Sequence, residues 1–316
     1  MIRIIVVTAL TFLATTALSH AQSWHPPAAS VRCPSPWGHG DERGQGNLQV
    51  PETVLRSTQL IRTGEVIVLS HVLHADISMS PWRQFSVQTL RSGTPAGTNQ
   101  RSSNEELIIS QLAHVGTQFD GFAHQSIGDD FYNCFKLSEV ATRTGFTHLG
   151  VENVGSIMTR GVLLDIAALK GVDMLGETYE ITVEDLEQAL DRQDLELERG
   201  DAVIIHTGWG QLWGVDNRRY AVTNPGLGVA AAEWLATHAP ILVGADTSPV
   251  EVRPNPDPAI SLPIHQIMLA VNGIHLLESM KLDELAASGA DEFALIVQPL
   301  KIQGATGSTV APIAAF

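Results

Sequence analysis

Gly161-Val162-Leu163-Leu164-Asp165 and Asp201-Ala202-Val203-Ile204-Ile205-His206 read as two short strands, with residues 182–192 between them as a helix. Apolar runs this brief suit strands, and their alternation with a helical stretch is the pattern of an α/β fold. Thr182 places a hydroxyl at the helix start and Asp185 follows three residues on, the shorter acid replacing the Glu of a capping box. Gly200 marks the turn into the second strand. Outward from there, residues 233–238 lie in a second helix and Ile241-Leu242-Val243-Gly244 form the next strand.

Toward the start, residues 50–62 predict a helix ending before Gly64, and residues 65–73, with Val66, Ile67, Val68 and Leu69, predict a buried strand. Residues 79–104 are polar and read as loop. Toward the end, residues 263–273 predict a short helix stopped by Gly273, and residues 274–280 return as a strand. No internal repeat, low-complexity block or interdomain linker interrupts residues 49–316, so one compact domain is expected there. Residues 22–48 are rich in Pro and Gly and form an irregular arm that lies on the body or on a neighbouring subunit.

Residues 1–21 have the form of a secretory signal peptide: a basic start at Arg3, an apolar run, and a small-x-small cleavage site at Ser19-His20-Ala21. The expectation is a periplasmic or secreted protein of about 295 residues, with no membrane association once the leader is removed. Lys and Arg number 19 against 34 Asp and Glu, a net charge of -15, which disfavours nucleic acid and anionic lipid as partners. A small-molecule substrate is expected instead. Cys33 and Cys134 can join in an oxidising compartment, but spacing alone leaves open whether they come within range.

Chemistry concentrates in Ala113-His114-Val115-Gly116-Thr117-Gln118-Phe119-Asp120-Gly121-Phe122-Ala123-His124. In an extended chain His114, Gln118, Asp120 and His124 project to one side, and imidazole with carboxylate is a ligand set for zinc or manganese. A helix would align His114 with Gln118 but turn Asp120 away, and its glycines would weaken it. We therefore expect strand running into loop. Downstream, a helix and strand packed antiparallel would bring His265 and Glu278 together, adding one imidazole and one carboxylate. Read alone, that pair equally suits a helix cap and a structural ion pair.

These segments resemble the cyclase-like metal-dependent hydrolase family, which includes bacterial kynurenine formamidases and isatin hydrolases. The family pattern H-x-G-T-H-x-D-x-P-x-H appears as His114-x-Gly116-Thr117-Gln118-x-Asp120-x-Phe122-x-His124, and a later segment matches from His265 through Gly273-Ile274 to Glu278-Ser279-Met280. Similar supporting pieces occur at Leu69-Ser70-His71, at Gly200-Asp201 with Thr207-Gly208-Trp209, and at Gly244-Ala245-Asp246-Thr247. The resemblance implies a swivelling β/β/α-type α/β domain, with a mixed sheet or barrel-like β core and flanking helices. It further implies a divalent metal, Mn2+ or Zn2+, held by residues among His114, Gln118, Asp120, His265 and Glu278, and His124 as proton shuttle. Gln118 stands where a second metal histidine is expected, so the site holds one ion or two, and Phe122 replaces a proline.

The reaction this implies is attack of metal-activated water on a small amide, often cyclic, or a lactone. Kynurenine formamidase activity is the alternative within the family, and a non-catalytic exported binding protein is the alternative outside it. Trp82, Phe85, Phe119, Phe122 and Trp209 are candidate walls for an aromatic or apolar substrate. No Gly-x-Ser-x-Gly elbow or phosphate-cradling loop is present. A homodimer or homotetramer is expected from the resemblance and the arm.

Overall fold

The structure is a computed structural model describing residues 23–77 and 83–316; the expected leader, residues 1–21, and Trp82 lie outside the described residues. Nine strands among the described residues form one curled mixed sheet. Its centre is four parallel strands in spatial order Ile157–Asp165, Ala202–His206, Leu242–Ala245 and His275–Glu278. Antiparallel strands extend both sides: Glu292–Val297, Ile313–Ala315 and Val66–Val68 beyond the first, and Gln118–Asp120 and Gly307–Thr309 beyond the last.

Successive side chains of a strand point to opposite faces, and both faces here are apolar, as parallel strands require. Val162, Leu164, Val203, Ile205, Val243 and Leu276 pack with the helical layer: Leu186 and Leu190 of Val183–Gln193, Leu235 of Val229–Thr237, and the segment that follows Pro263. Leu163, Ile204, Leu242, Leu277, Phe293 and Leu295 fill the opposite side with Leu282 and Leu285. The helix Val183–Gln193 starts where the sequence places it. Thr182 Oγ1 accepts from Asp185 N–H at 3.2 Å and Asp185 accepts from Thr182 N–H at 3.0 Å, closing the capping box.

Three expectations need correction. The strand expected over residues 65–73 is only Val66–Val68; Val66 and Val68 are half exposed because the strand is at the sheet edge and buries one face. Residues 79–104 are not loop throughout. Phe85–Ala96 and Arg101–Ser110 pair as a long antiparallel hairpin, built from Ser, Thr, Gln and Asn without a clean apolar face that would announce strands. The helix near 263–273 has a single α-turn, Pro263–His265, which continues as a π-helix, Gln266–Val271, before Gly273 at positive φ.

The arm lies on its own chain's body. Cys33 and Cys134 form a disulfide with Cα atoms 5.9 Å apart, Tyr132 donates to Asp41 Oδ2 at 2.6 Å, and Gln45 N–H donates to Gly273 O at 2.7 Å. Gly44 and Gly273 make this approach possible, since a Cβ on Gly44 would stand 2.3 Å from Gly273 O.

Candidate metal centre

Asp120 ends the Gln118–Asp120 strand, paired with Leu276 on one side and Gly307 on the other. Alternation along this strand sends Gln118 and Asp120 to the helix-covered face and Phe119 to the opposite core. Glu278, cross-strand from Gln118, shares their face, and His265 is delivered from above by the short helix after Pro263. The expected extended segment is shorter than its sequence pattern, for His114 and His124 sit in the turns flanking three strand residues.

The five groups nevertheless converge. His114 Nδ1 is 3.3 Å from Asp120 Oδ1, while His124 Nε2 and His265 Nε2 approach Asp120 Oδ2 at 3.9 and 3.7 Å. His265 Nε2 is also 3.2 Å from Glu278 Oε1. Asp120 thus belongs to two ligand-like triads, one with His265 and Glu278 and one with His114 and His124, each with donor atoms within 4.8 Å of one another. The first triad is fully buried; the rings of His114 and His124, 4.1 Å apart, form its partly open edge.

A divalent cation fits this donor set. Both oxygens of Asp120, Glu278 Oε1 and His114 Nδ1 are buried and have no hydrogen-bond partner. Sealed carboxylate oxygens without partners are costly, and a cation in the Asp120, His265 and Glu278 triad offsets that cost for Asp120 and Glu278, while His114 belongs to the second triad around Asp120. The amide nitrogen of Gln118 donates to Glu278 Oε2 at 2.8 Å, leaving Glu278 Oε1 for the centre.

Electrostatics follow from burial and crowding. Burial lowers the pKa of His124 to about 3, countered by Asp120 and reinforced by His114 and His265, so its imidazole is neutral where an isolated one would titrate. For Asp120 burial opposes ionisation, but His124 and His114 outweigh it and hold the carboxyl well below its usual range. Burial likewise opposes charge on His265, yet Glu251 and Glu278 overcome it and raise its pKa far above 6.5.

Several contributors carry no sequence signal. Glu251, 1% exposed, accepts from His265 Nδ1 at 2.5 Å and from the backbone N–H groups of Ile264 and His265. It is a lone acid in Val250-Glu251-Val252, and only the fold brings it to His265. Thr306 Oγ1 meets His114 Nε2 at 2.9 Å, and Arg83 donates to His114 O at 2.7 Å. Behind the site, His275 Nδ1 lies 3.1 Å from Asp120 O and stacks on Phe122 at 4.1 Å.

The expected aromatic walls are mostly core. Phe119 is fully buried on the face away from Asp120, because strand alternation puts neighbours on opposite sides. Phe122 is sealed between Tyr132 and His275, and Trp209 packs with Leu212 and Tyr220 beneath Arg219. Phe85 alone of the described four sits beside the site segment, in contact with Val115 and Ile77 at the hairpin base.

A family model described as "Putative cyclase" matches residues 67–252. A solved structure described as a novel cyclase is 32% identical, covering 89% of this chain and 96% of its own, with a TM-score of 0.81. Isatin hydrolase A from Ralstonia solanacearum is 20% identical over 79% of this chain and 91% of its own, with a TM-score of 0.56. Isatin hydrolase A from Labrenzia aggregata, bound to benzyl benzoate, is 18% identical over 81% and 94%, with a TM-score of 0.60. The last two establish likeness of fold alone. No curated protein matches.

Proposed function

This chain belongs to the cyclase family, and from that premise we propose that it is a metal-dependent hydrolase that opens a small, often cyclic, amide or a lactone. The observation that carries the reading is the buried set Asp120, His265 and Glu278, whose unpartnered carboxylate oxygens face the partly open rings of His114 and His124. We assign one ion to the buried triad Asp120, His265 and Glu278, because Gln118 offers no imidazole for a second. The ion, manganese or zinc, supplies Lewis acidity for activating water and for polarising the carbonyl under attack.

The chain's own residues do the rest. Glu251 accepts the proton on His265 Nδ1 and so turns Nε2 toward Asp120 and Glu278. His124, neutral and partly exposed, takes a proton from the attacking water and returns it to the nitrogen or oxygen released when the acyl bond breaks. Its Nε2 is 3.9 Å from Asp120, beyond hydrogen-bonding reach, which leaves that nitrogen free for the transfer.

Support for a cyclic amide comes from fold neighbours described as isatin hydrolases. Turnover of isatin, simple lactones and N-formyl-kynurenine by the metal-loaded protein tests the reading. Ring opening that is lost in His124→Ala is expected. Preference for N-formyl-kynurenine would move the assignment to a formamidase, and ligand bound but recovered intact throughout would make the protein a binder. We also propose export to the periplasm or beyond: the leader-like residues 1–21 and the closed Cys33–Cys134 disulfide both suit an oxidising compartment. Cell fractionation checks this.

A further inference from the structure

Two guanidinium groups border the centre with no carboxylate to answer them. Arg83 donates from Nη1 to His114 O at 2.7 Å, on the turn that carries one histidine of the open edge. Arg253 lies two residues beyond Glu251, the acid that holds His265. Glu251 and Arg253 each make a single bridge, to Leu227 and to Asn224, and alternation along this extended piece returns Arg253 to the side of Glu251. Nη2 of Arg253 donates to Ala221 O, while its Nε is buried with no hydrogen-bond partner. Among the described residues neither arginine forms an ion pair, whereas Arg32, Arg56 and Arg160 each hold a carboxylate.

The two charges feel each other and the centre. Burial lowers the pKa of Arg253 and Arg83 lowers it further, against Glu278, Tyr220 and Glu251. Arg83 also adds to the burial that keeps the His124 imidazole neutral. Arg83 is thus within electrostatic reach of both His124 and Arg253, and Arg253 within reach of Glu278. Like charges held together in a partly sealed place repel, and an anion between them turns that repulsion into attraction. A carboxylate suits the pair, because a planar guanidinium presents N–H donors at the spacing of two carboxylate oxygens. One nitrogen of each arginine is tied to a main-chain oxygen, which orients the fork and leaves further donors on each group.

We propose that Arg83 and Arg253 bind a carboxylate of the substrate, so that the substrate is an amide or lactone carrying a free carboxylate near the bond that is cleaved. The inference rests on the hydrolase reading and narrows it. In a chain of net charge -15 the pair supplies the local positive potential that draws an anionic substrate to the edge of the centre. Holding the carboxylate there leaves the ion for the acyl oxygen and sets that acyl group beside His124.

Matched substrates test this with the metal-loaded protein: N-formylanthranilate against formanilide, and γ-carboxy-γ-butyrolactone against γ-butyrolactone. Wild type is expected to favour the carboxylate member of each pair in kcat/KM. Arg83→Gln and Arg253→Gln each keep an amide donor for the main-chain oxygen, and each should reduce that preference about 10–100-fold, through KM, as loss of a charge-assisted hydrogen bond does. Arg253→Lys, which keeps the charge without the fork, should recover part of it. Equal turnover of both members by wild type, or variants that slow both members alike and leave the ratio unchanged, would overturn the inference while leaving the hydrolase reading intact. Thermal melts with benzoate and with benzamide decide the case in which no substrate is turned over. A rise with benzoate alone, lost in the Arg83→Gln, Arg253→Gln double variant, keeps the carboxylate site and removes only the hydrolase reading; no rise specific to benzoate overturns both.

Discussion

His265 Nδ1 and Glu251 Oε1 are 2.5 Å apart, with both side chains buried. The contact fixes which imidazole nitrogen faces the centre, and it does so from a segment that is itself fixed: Asn224 donates to Pro249 O at 3.1 Å and to Glu251 O at 2.8 Å. Losing the negative charge and the second acceptor oxygen weakens the hold on the ring. Glu251→Gln is therefore expected to weaken divalent-metal binding by about 10–100-fold, the usual effect of losing a carboxylate behind a metal-binding histidine. Competition with a chromogenic chelator measures it, and Glu251→Asp should recover part of the loss. Equal affinity in all three proteins would show that Glu251 has no such role.

Gln118 answers a separate question. Because its amide donates to Glu278 Oε2, the wild-type centre is expected to retain one equivalent of metal after dialysis. Gln118→His replaces that donor with an imidazole on the same strand face as Asp120 and should raise the content toward two. Elemental analysis decides, and an unchanged count in a folded variant would remove Gln118 as the limit.

Away from the centre, His206 Nδ1 is 2.9 Å from Asp165 and its Nε2 is 3.9 Å from Asp246, with Asp283 farther off. Burial disfavours the imidazolium, but these carboxylates outweigh it and raise its pKa above 6.5. The folded state then holds the proton more tightly than the unfolded chain. The resulting stability is fully present below pH ~6.5 and is lost as pH rises through the raised value. Thermal melts should show wild type exceeding His206→Gln at pH ~6 and the gap narrowing toward alkaline pH. A gap that does not change with pH would contradict the charged pair.

The Cys33–Cys134 bond closes a loop with a sequence separation of 101. Restricting the unfolded chain in this way is worth about 2–4 kcal/mol, so Cys33→Ser, Cys134→Ser should lower the urea-unfolding free energy by that amount. No loss would mean that the unfolded chain is not held by the bond.

What could be read from sequence follows how local the cause is. Thr182 and Asp185 announce their helix because a capping box is contained in four residues, and Leu163 and Ile204 announce central strands because both faces there are apolar. His114, Asp120, His265 and Glu278 were legible as chemistry, since their residue types are uncommon in combination. Glu251 was not, because its partner is brought to it by tertiary packing alone. Phe119, a candidate wall by residue type, is core because period-two alternation turns it from Asp120. The hairpin has no sequence signature because its strands mix polar and apolar residues on both faces, which erases the periodicity that marks a half-buried strand.

The disulfide also has a topological consequence. Cys33 and Cys134 lie on either side of the hairpin and of the His114 to His124 segment, so both are contained in one covalent ring. A protease cut at the hairpin tip, residues 97–100, opens that ring without dividing the molecule. The nicked protein keeps its mass until a reductant is added, and because its two pieces remain tethered, its refolding stays first order in protein.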